Sequence, residues 1–223
     1  MDLEGFYLTI GYRFTDPELL RRALTHRSFG APHNERLEFL GDSVVNCVVA
    51  LELYEKFPRL TEGELSRLRA NIVHQPSLAS AARRFAFGEH LRLGEGELKS
   101  GGARRPSILA DSVEAVIGAA FLDGGFEPAR QVVRTLLGDV LDTIDPATSG
   151  KDPKTLLQEY LQARKLALPH YAVVATRGEA HDQQFQVECA IPGLGIRSLG
   201  EGASRRGAEQ EAARQAYELA TRA

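Results

Sequence analysis

Residues 34–43, which read NERLEFLGDS, decide the fold of the first half of this 223-residue chain. Asn34 is a favourable N-cap residue, and the apolar positions that follow recur at helical spacing: Leu37, Leu40, Val44, Val48 and Leu51. Glu35, Glu38 and Asp42 are three and four residues apart, so they lie on one face of the predicted helix. Carboxylates on one face repel each other unless a divalent cation such as Mg²⁺ neutralises them. A solvated acidic face is the alternative that the spacing leaves open.

A second acidic pair lies on the most apolar predicted helix, which begins at Ser107 and ends at Gly124-Gly125. Asp111 and Glu114 are three residues apart there, among apolar neighbours: Ile108, Leu109, Val113, Val116, Ile117 and Ala120. Carboxylates in such surroundings need a partner, which is either a metal ion or an arginine of the same domain. Glu62, near the start of another helix, is either a surface residue favoured by the helix dipole or an outer ligand of the metal.

The rest of the first half is also predicted to be helical. Capping boxes indicate helix starts at Thr15, with Glu18, and at Thr61, with Glu64. Alternation with a period of two, which is typical of strands, is almost absent. The sequence therefore predicts an all-α first domain.

A segment rich in Pro, Gly, Ser, Thr and Asp, residues 143–153, indicates a linker with the domain boundary near Ser149. We accordingly expect a helical domain over residues 1–148, a linker over 149–151 and a second domain over 152–223.

The second domain is predicted to be a small α+β domain of order α-β-β-β-α. Asp152 and Pro153 are typical of a helix start. Strand-like runs follow at Tyr171–Thr176, Gln184–Ala190 and Gly195–Glu201, and a closing helix is expected from Ser204 onward.

The composition, with 43% hydrophobic and 26% charged residues, is typical of a folded protein. Residues 1–147 carry 17 Lys and Arg against 21 Asp and Glu, and residues 148–223 carry 10 against 9. Neither half is strongly basic, so nucleic-acid binding must depend on local placement of charge. No stretch is long enough to cross a membrane, and residues 1–4 are acidic, unlike a secretory signal. We expect a cytoplasmic protein in which Cys47 and Cys189 are reduced core residues.

Residues 34–43 resemble the signature of the ribonuclease III family almost letter for letter. Residues 23–28, ALTHRS, and 108–115, ILADSVEA, lie where that family has its other motifs, and the resemblance covers essentially the whole chain. It implies that four carboxylates bind a catalytic Mg²⁺, for which Mn²⁺ substitutes: Glu38, Asp42, Asp111 and Glu114.

The resemblance also implies roles and products. Asp42 and Glu114 are the expected catalytic residues, and Glu35 and Glu62 match accessory acidic positions. Metal-bound water would attack the phosphodiester in line, leaving 5′-phosphate and 3′-hydroxyl ends without a nucleotide cofactor. A homodimer would place two equivalent sites across the RNA duplex and leave short 3′ overhangs. Phe39 matches an aromatic residue that fills a pocket of the partner subunit, and an ordinary core position is its alternative.

Residues 152–222 resemble a double-stranded RNA-binding domain, which recognises A-form shape over about 16 base pairs. Three contact regions follow from the resemblance: Thr155, Gln158, Glu159 and Gln162 on the first helix, His181 in a loop, and Ser204, Arg205 and Arg206 at the last helix. Two positions depart from the pattern, because Glu209 stands where a lysine is common and Gly207 loosens the first turn. Both departures predict weak binding by this domain alone, which a dimeric partner domain would offset.

The expected function is therefore cleavage of double-stranded RNA, including ribosomal RNA precursors and some messenger RNAs. A non-catalytic RNA-binding protein is one alternative, but it predicts that some metal carboxylates are replaced. A phosphohydrolase of small nucleotides is another, although such enzymes mix histidine with aspartate at the metal. His26, Arg27, Arg104 and Arg105 are candidates for RNA backbone contact and are given no catalytic role.

Overall fold

Helices form the first unit of the chain, Met1–Ser149, in a computed structural model that describes residues 3–178 and 183–222. Its helices are α1 (Leu3–Ile10), α2 (Pro17–Ala23), α3 (Glu35–Lys56), α4 (Glu62–Val73), α5 (Gln75–Arg84), α6 (Phe87–His90), α7 (Glu95–Lys99), α8 (Pro106–Gly124) and α9 (Phe126–Thr143). Apart from an isolated bridge between Thr25 and Arg92, the described part of this unit contains no β-structure. The predicted all-α class is confirmed. Among the described residues, no helix has the length and apolar character that a membrane span requires.

The core of this unit is built around the crossing of α3 and α8. Most side chains of α8 are buried, because α2, α3, α5 and α9 surround it. At the crossing, a Cβ atom on Gly41 would lie 1.7 Å from the carbonyl oxygen of Glu114. A Cβ atom on Gly118 would lie 2.3 Å from the carbonyl oxygen of Leu37. The two backbones therefore touch, which only glycine at these positions permits.

Two of the predicted helix starts in the first half are wrong in detail. Asp16, not Thr15, caps α2, because its side chain accepts the N–H of Glu18 at 2.9 Å. The N–H of Thr15 instead donates to Asp123 at 2.8 Å. Helix α8 begins at Pro106 rather than Ser107. Proline suits the first helical position because it lacks an N–H that would be left unpaired.

The other two predicted caps differ in outcome. Thr61 and Glu64 form the complete capping box that the sequence predicts. Asn34 occupies the N-cap position of α3 but makes no side-chain cap hydrogen bond. Its backbone is already helical, at φ −81° and ψ −17°, whereas a capping residue ordinarily has an extended backbone.

The second unit, Gly150–Ala223, has the predicted α-β-β-β-α order over its described residues. Its elements are α10 (Pro153–Ala163), β1 (His170–Arg177), β2 (Gln184–Ile191), β3 (Ile196–Gly202) and α11 (Arg205–Arg222). The strands pair antiparallel in the order β1-β2-β3. Each predicted strand run begins and ends within one residue of the observed strand. Helix α11 lies close to β3, because a Cβ atom on Gly200 would be 2.2 Å from the backbone nitrogen of Ala212.

The two cysteines have different surroundings. Cys189 is fully buried in the core of the second unit, as expected. Cys47 is exposed, so its predicted core position is wrong. It lies on α3 outside the stripe of buried residues, where it lines a surface groove.

Candidate functional site

The crossing of α3 and α8 brings three acidic side chains together. Glu38 of α3 and Asp111 and Glu114 of α8 each offer a carboxylate oxygen, and these oxygens lie within 4.8 Å of one another. All three residues are partly buried. The close backbone approach at Gly41 makes this spacing possible, because Gly41 follows Glu38 by less than one turn. Three hard oxygen donors at this spacing can hold a divalent cation such as Mg²⁺.

Asp42, the fourth predicted metal ligand, lies at the margin of this cluster. Asp42 is exposed, and the side-chain amide of Asn46 donates a hydrogen bond to its carboxylate at 3.1 Å. Its charge nevertheless acts on Glu114, where it is the strongest of the charges that raise the pKa. The structure thus groups Glu38, Asp111 and Glu114 and places Asp42 close beside them.

Burial and mutual repulsion shift the protonation of the cluster. Burial, followed by the charges of Asp42, Asp111 and Glu38, raises the pKa of Glu114 to about 8. Burial is also the largest cause that raises the pKa values of Glu38 and Asp111. The charges that act on Glu114 are all acidic. The cluster is therefore short of positive charge, which a bound cation would supply.

The arginine partner that the sequence left open for the α8 pair is not found among the described residues. The charges of His26 and Arg27 act on Asp111, where they oppose the rise in pKa, but neither residue forms an ion pair with it in that part of the chain. An acid that is close to bases yet unpaired remains free to accept a ligand.

Two members of the cluster, Glu38 and Asp111, line a cavity of about 520 Å³ whose walls carry both signs of charge. Arg27 contacts Glu35 at 3.3 Å, and Arg105 contacts Glu97 at 2.6 Å. Both arginines and His26 line this cavity together with Glu38 and Asp111. The two arginines are therefore placed where a phosphate facing the acidic cluster would meet them.

The sequence indicates His26, Arg27 and Arg105 as candidates for RNA contact but gives no sign of their positions or of Glu97. The pairing of Glu97 with Arg105 links α7 to the turn before α8, and no spacing rule indicates such a contact. Arg104, by contrast, lines a different cavity beside Gly88 and Leu109.

Glu35 and Glu62, the predicted accessory acids, lie in different places. Glu35 is at the rim of the acidic cavity. Glu62, at the start of α4, accepts a hydrogen bond from Ser66 at 2.7 Å and lines a groove of about 670 Å³ against α3. The groove is largely apolar and includes Cys47, Leu51 and Tyr54. Within one chain, the structure does not bring Glu62 into the acidic cluster.

Phe39 points away from the core of its own unit. The residue is 80% exposed, because it lies on α3 outside the stripe of buried residues. The ordinary core position that the sequence left open is therefore wrong for this chain. Large exposed aromatic residues often mark contact surfaces.

In the second unit, the predicted contact residues of α10 lie at the surface: Thr155, Gln158, Glu159 and Gln162. Two of them have partners within the chain, since Thr155 donates to Asp152 at 2.9 Å and Glu159 pairs with Lys151. His181, the predicted loop contact, lies outside the described residues.

The third predicted contact region is the start of α11. Ser204 accepts the N–H of Gly207 at 3.1 Å and so satisfies one free donor of the helix start. Arg205 contacts Glu209 at 3.0 Å. Arg206 is exposed, and no ion pair involves it within residues 3–178 and 183–222. Its charge acts on Asp152, so the starts of α10 and α11 are close together.

Known proteins match both units. Residues 16–140 match the family described as ribonuclease-III-like, and residues 153–219 match the double-stranded RNA binding motif. A protein named Ribonuclease 3 from Ralstonia nicotianae is 62% identical over 222 residues, covering 100% of this chain and 87% of the relative. Ribonuclease 3 of Bordetella petrii is 63% identical over 220 residues, covering 99% of this chain and 87% of the relative.

A solved structure agrees with these matches. The nuclease domain of ribonuclease III from Campylobacter jejuni, described as flexible in a region involved in dimer formation, is 42% identical with a TM-score of 0.60. The match covers 62% of this chain and 97% of that domain. With the signature helix, the acidic cluster and both units accounted for, this chain belongs to the ribonuclease III family.

Proposed function

We propose that this protein is an endoribonuclease that hydrolyses double-stranded RNA with metal-activated water. The observation that carries the proposal is the group of three carboxylates within 4.8 Å in a chain whose second unit matches the double-stranded RNA binding motif. The first feature suits metal-dependent phosphodiester hydrolysis, and the second suits recognition of the duplex. The alternative of a non-catalytic RNA-binding protein does not explain why three partly buried carboxylates that repel one another lie so close together.

Magnesium is the proposed metal, with manganese as a substitute, because the donors are all carboxylates. Glu38, Asp111 and Glu114 would hold it, with Asp42 alongside. Bound there, the ion would supply a water nucleophile near neutral pH and screen the charge of the phosphate. Glu114 would lose its proton when the ion binds and would keep the site negative enough to retain it. Asp42 and Glu114 are the residues we propose as catalytic.

Residues around the cavity would position the RNA. Arg27 and Arg105, each held by a carboxylate partner, line the cavity with the acidic cluster. Guanidinium groups in this position suit the non-bridging oxygens of a phosphodiester. Hydrolysis by water rather than by the RNA 2′-hydroxyl would leave 5′-phosphate and 3′-hydroxyl ends.

The second unit would bind the duplex by shape. Exposed hydroxyl, amide and carboxylate groups on α10 suit the 2′-hydroxyls of a minor groove. Arg206 and the N-terminus of α11 suit phosphates. His181 is proposed as a further contact on the basis of the family pattern alone.

A homodimer is proposed from Phe39 and the groove beside α4. Phe39 is exposed, and the groove against Cys47, Leu51 and Tyr54 is apolar and large enough to receive an aromatic ring. Two-fold symmetry would make the contact reciprocal and supply two cutting sites for one duplex. Cuts on opposite strands would then leave short 3′ overhangs. Structured precursors such as those of ribosomal RNA, and some messenger RNAs, are the proposed substrates, encountered in the cytoplasm.

The test is cleavage of an end-labelled RNA duplex, with a DNA duplex of the same sequence, in Mg²⁺ and in EDTA. We expect the wild type to cut RNA only, in Mg²⁺ only, and to leave 5′-phosphate ends. Glu114→Gln should bind the RNA without cutting it, whereas Glu127→Gln, a change on the exposed start of α9, should cut normally. Wild-type protein that binds the duplex but does not cut it in Mg²⁺ would contradict the proposal and favour the RNA-binding alternative.

A further inference from the structure

One carboxylate joins the two helices of the second unit. Glu209 of α11 accepts a hydrogen bond from the Nζ atom of Lys154 on α10 at 2.7 Å. Its other oxygen accepts one from the Nε atom of Arg205 at 3.0 Å. The Glu209 side chain is only 13% exposed, whereas the side chains of Lys154 and Arg205 are 37% and 67% exposed, so it is the carboxylate of each pair that is shielded from solvent.

Arg205 is one of the residues proposed to contact RNA, and Lys154 adjoins another in sequence. Lys154 directly precedes Thr155 on α10, and Arg205 directly precedes Arg206 on α11. Lys154 is further held by the ring of Tyr171, whose centroid lies 4.5 Å from the Nζ atom. Lys154 is the largest cause that lowers the pKa of Glu209, so this carboxylate is ionised at neutral pH.

Neutralised cations contribute less to RNA binding than free ones. Affinity for a polyanion rises with each phosphate that a cation neutralises, because bound counterions are released. A phosphate approaching Arg205 must compete with a carboxylate that already accepts two charged hydrogen bonds. Arg206 is exposed and forms no ion pair within the described residues, although its charge acts on Asp152, so a phosphate meets weaker competition there than at Arg205.

We propose that Glu209 sets the strength and the salt dependence of duplex RNA binding by withholding the charges of Lys154 and Arg205 from the RNA backbone. This inference rests on the proposed function and adds a determinant of substrate affinity to it. If the second unit binds RNA only weakly, tight binding is restricted to RNAs that contact more than one unit of a dimer at once. The helical unit then decides which duplexes are retained.

The test is Glu209→Gln in the full chain, with binding to an RNA duplex of about 20 base pairs measured in EDTA at several KCl concentrations. Glutamine keeps the shape and can still accept a hydrogen bond from Lys154, but it lacks the negative charge. We expect Kd to fall about fivefold at moderate salt. We also expect the slope of log Kd against log salt to steepen by about 1. Glu211→Gln is the matched control, because Glu211 pairs with Arg214 on the same helix.

The possible results distinguish a failure of the role proposed for Glu209 from a failure of the proposed nuclease function. Unchanged or weaker binding by Glu209→Gln, with an unchanged salt slope, would overturn the role of Glu209 while leaving the nuclease proposal intact. An equal gain in Glu211→Gln would also overturn it, since the effect would then be net charge alone. A wild type that fails to bind duplex RNA would overturn both proposals. The slope of log Kd against log salt depends only on the folded protein that binds RNA. Partial unfolding of the variant would therefore not steepen it.

Discussion

The backbone of Gly41 touches that of Glu114, because a Cβ atom at residue 41 would lie 1.7 Å from the Glu114 carbonyl oxygen. This contact is made at the position where both helices carry acids. Glu38 precedes Gly41 by three residues, and Asp42 follows it directly. The glycine therefore sets the distance between the carboxylates of α3 and those of α8. The carboxylates repel one another, and the packing of the α3 and α8 backbones at Gly41 holds them close together despite that repulsion.

Gly41→Ala is expected to separate the two helices and disable the site. The added methyl group overlaps backbone atoms, which cannot rotate away, so we expect a loss of about 2 kcal/mol or more in the free energy of unfolding. Displacement of the carboxylates by about 1 Å should lower the cleavage rate about 100-fold. Urea denaturation and single-turnover cleavage measure the two effects. Gly138→Ala is the control, since a Cβ atom there meets nothing within 4 Å and should stabilise α9. Normal cleavage by Gly41→Ala would contradict the packing argument.

Much of the fold could be predicted from local sequence patterns. The apolar period of α3 reflects one face that must be buried, and the buried residues of β2 alternate with less buried ones, whereas no residue of β1 is fully buried. The class of both units and the acidic face of α3 follow from those periods. The Thr61 capping box was also predictable, because its donor and acceptor lie three residues apart.

Other features depend on contacts between distant segments and left no local pattern. The N–H of Thr15, which the predicted capping box paired with Glu18, is bound instead by Asp123, more than a hundred residues away. The pairing of Arg105 with Glu97 and the exposure of Cys47 likewise depend on how helices meet. The grouping of Asp111 with Glu38 could be inferred only from the family resemblance, because spacing within one helix carries no information about the other.

Stability of the metal-free protein is expected to fall as the pH rises. The pKa of Glu114 is about 8 in the folded chain and near its ordinary value of 4.5 when unfolded. Between these values the folded state binds the proton more tightly, so the free energy of unfolding decreases with increasing pH. Urea denaturation in EDTA at about pH 6 and about pH 8 measures this. Glu114→Gln should flatten the dependence, and Glu127→Gln should retain it.

Magnesium affinity should show the opposite trend. Glu114 must lose its proton before it can bind the ion, so Mg²⁺ binding should tighten as the pH rises toward about 8. Calorimetric titrations in buffers of different ionisation enthalpy should detect proton release near neutral pH. Binding that releases no proton at that pH would contradict the raised pKa of Glu114.

Phe39→Ala is expected to weaken the proposed dimer. Loss of an anchoring aromatic side chain typically costs about 2 kcal/mol or more, equivalent to about a 30-fold rise in Kd, which sedimentation measures. Cys47 offers a second measurement, because it is exposed in the single chain and lines the groove proposed to receive Phe39. Its reaction with a thiol reagent should be slow in the wild type and fast in the variant, while buried Cys189 stays unreactive. Leu122→Ala, another exposed apolar residue of this unit, should leave both measurements unchanged.

Arg206→Ala is expected to weaken binding to duplex RNA by a similar factor for every sequence. Arg206 is exposed at the start of α11, so its charge is available to a phosphate, and phosphate contacts carry no sequence information. Removal of one such contact should reduce the slope of log Kd against log salt by about 1. Binding titrations on two RNA duplexes of unrelated sequence, at several salt concentrations in EDTA, measure both quantities. Arg222→Ala removes the same charge at the far end of α11 and should change neither. A loss of affinity for only one of the two RNA sequences would contradict this prediction. It would mean that Arg206 recognises bases rather than the phosphate backbone of an A-form duplex.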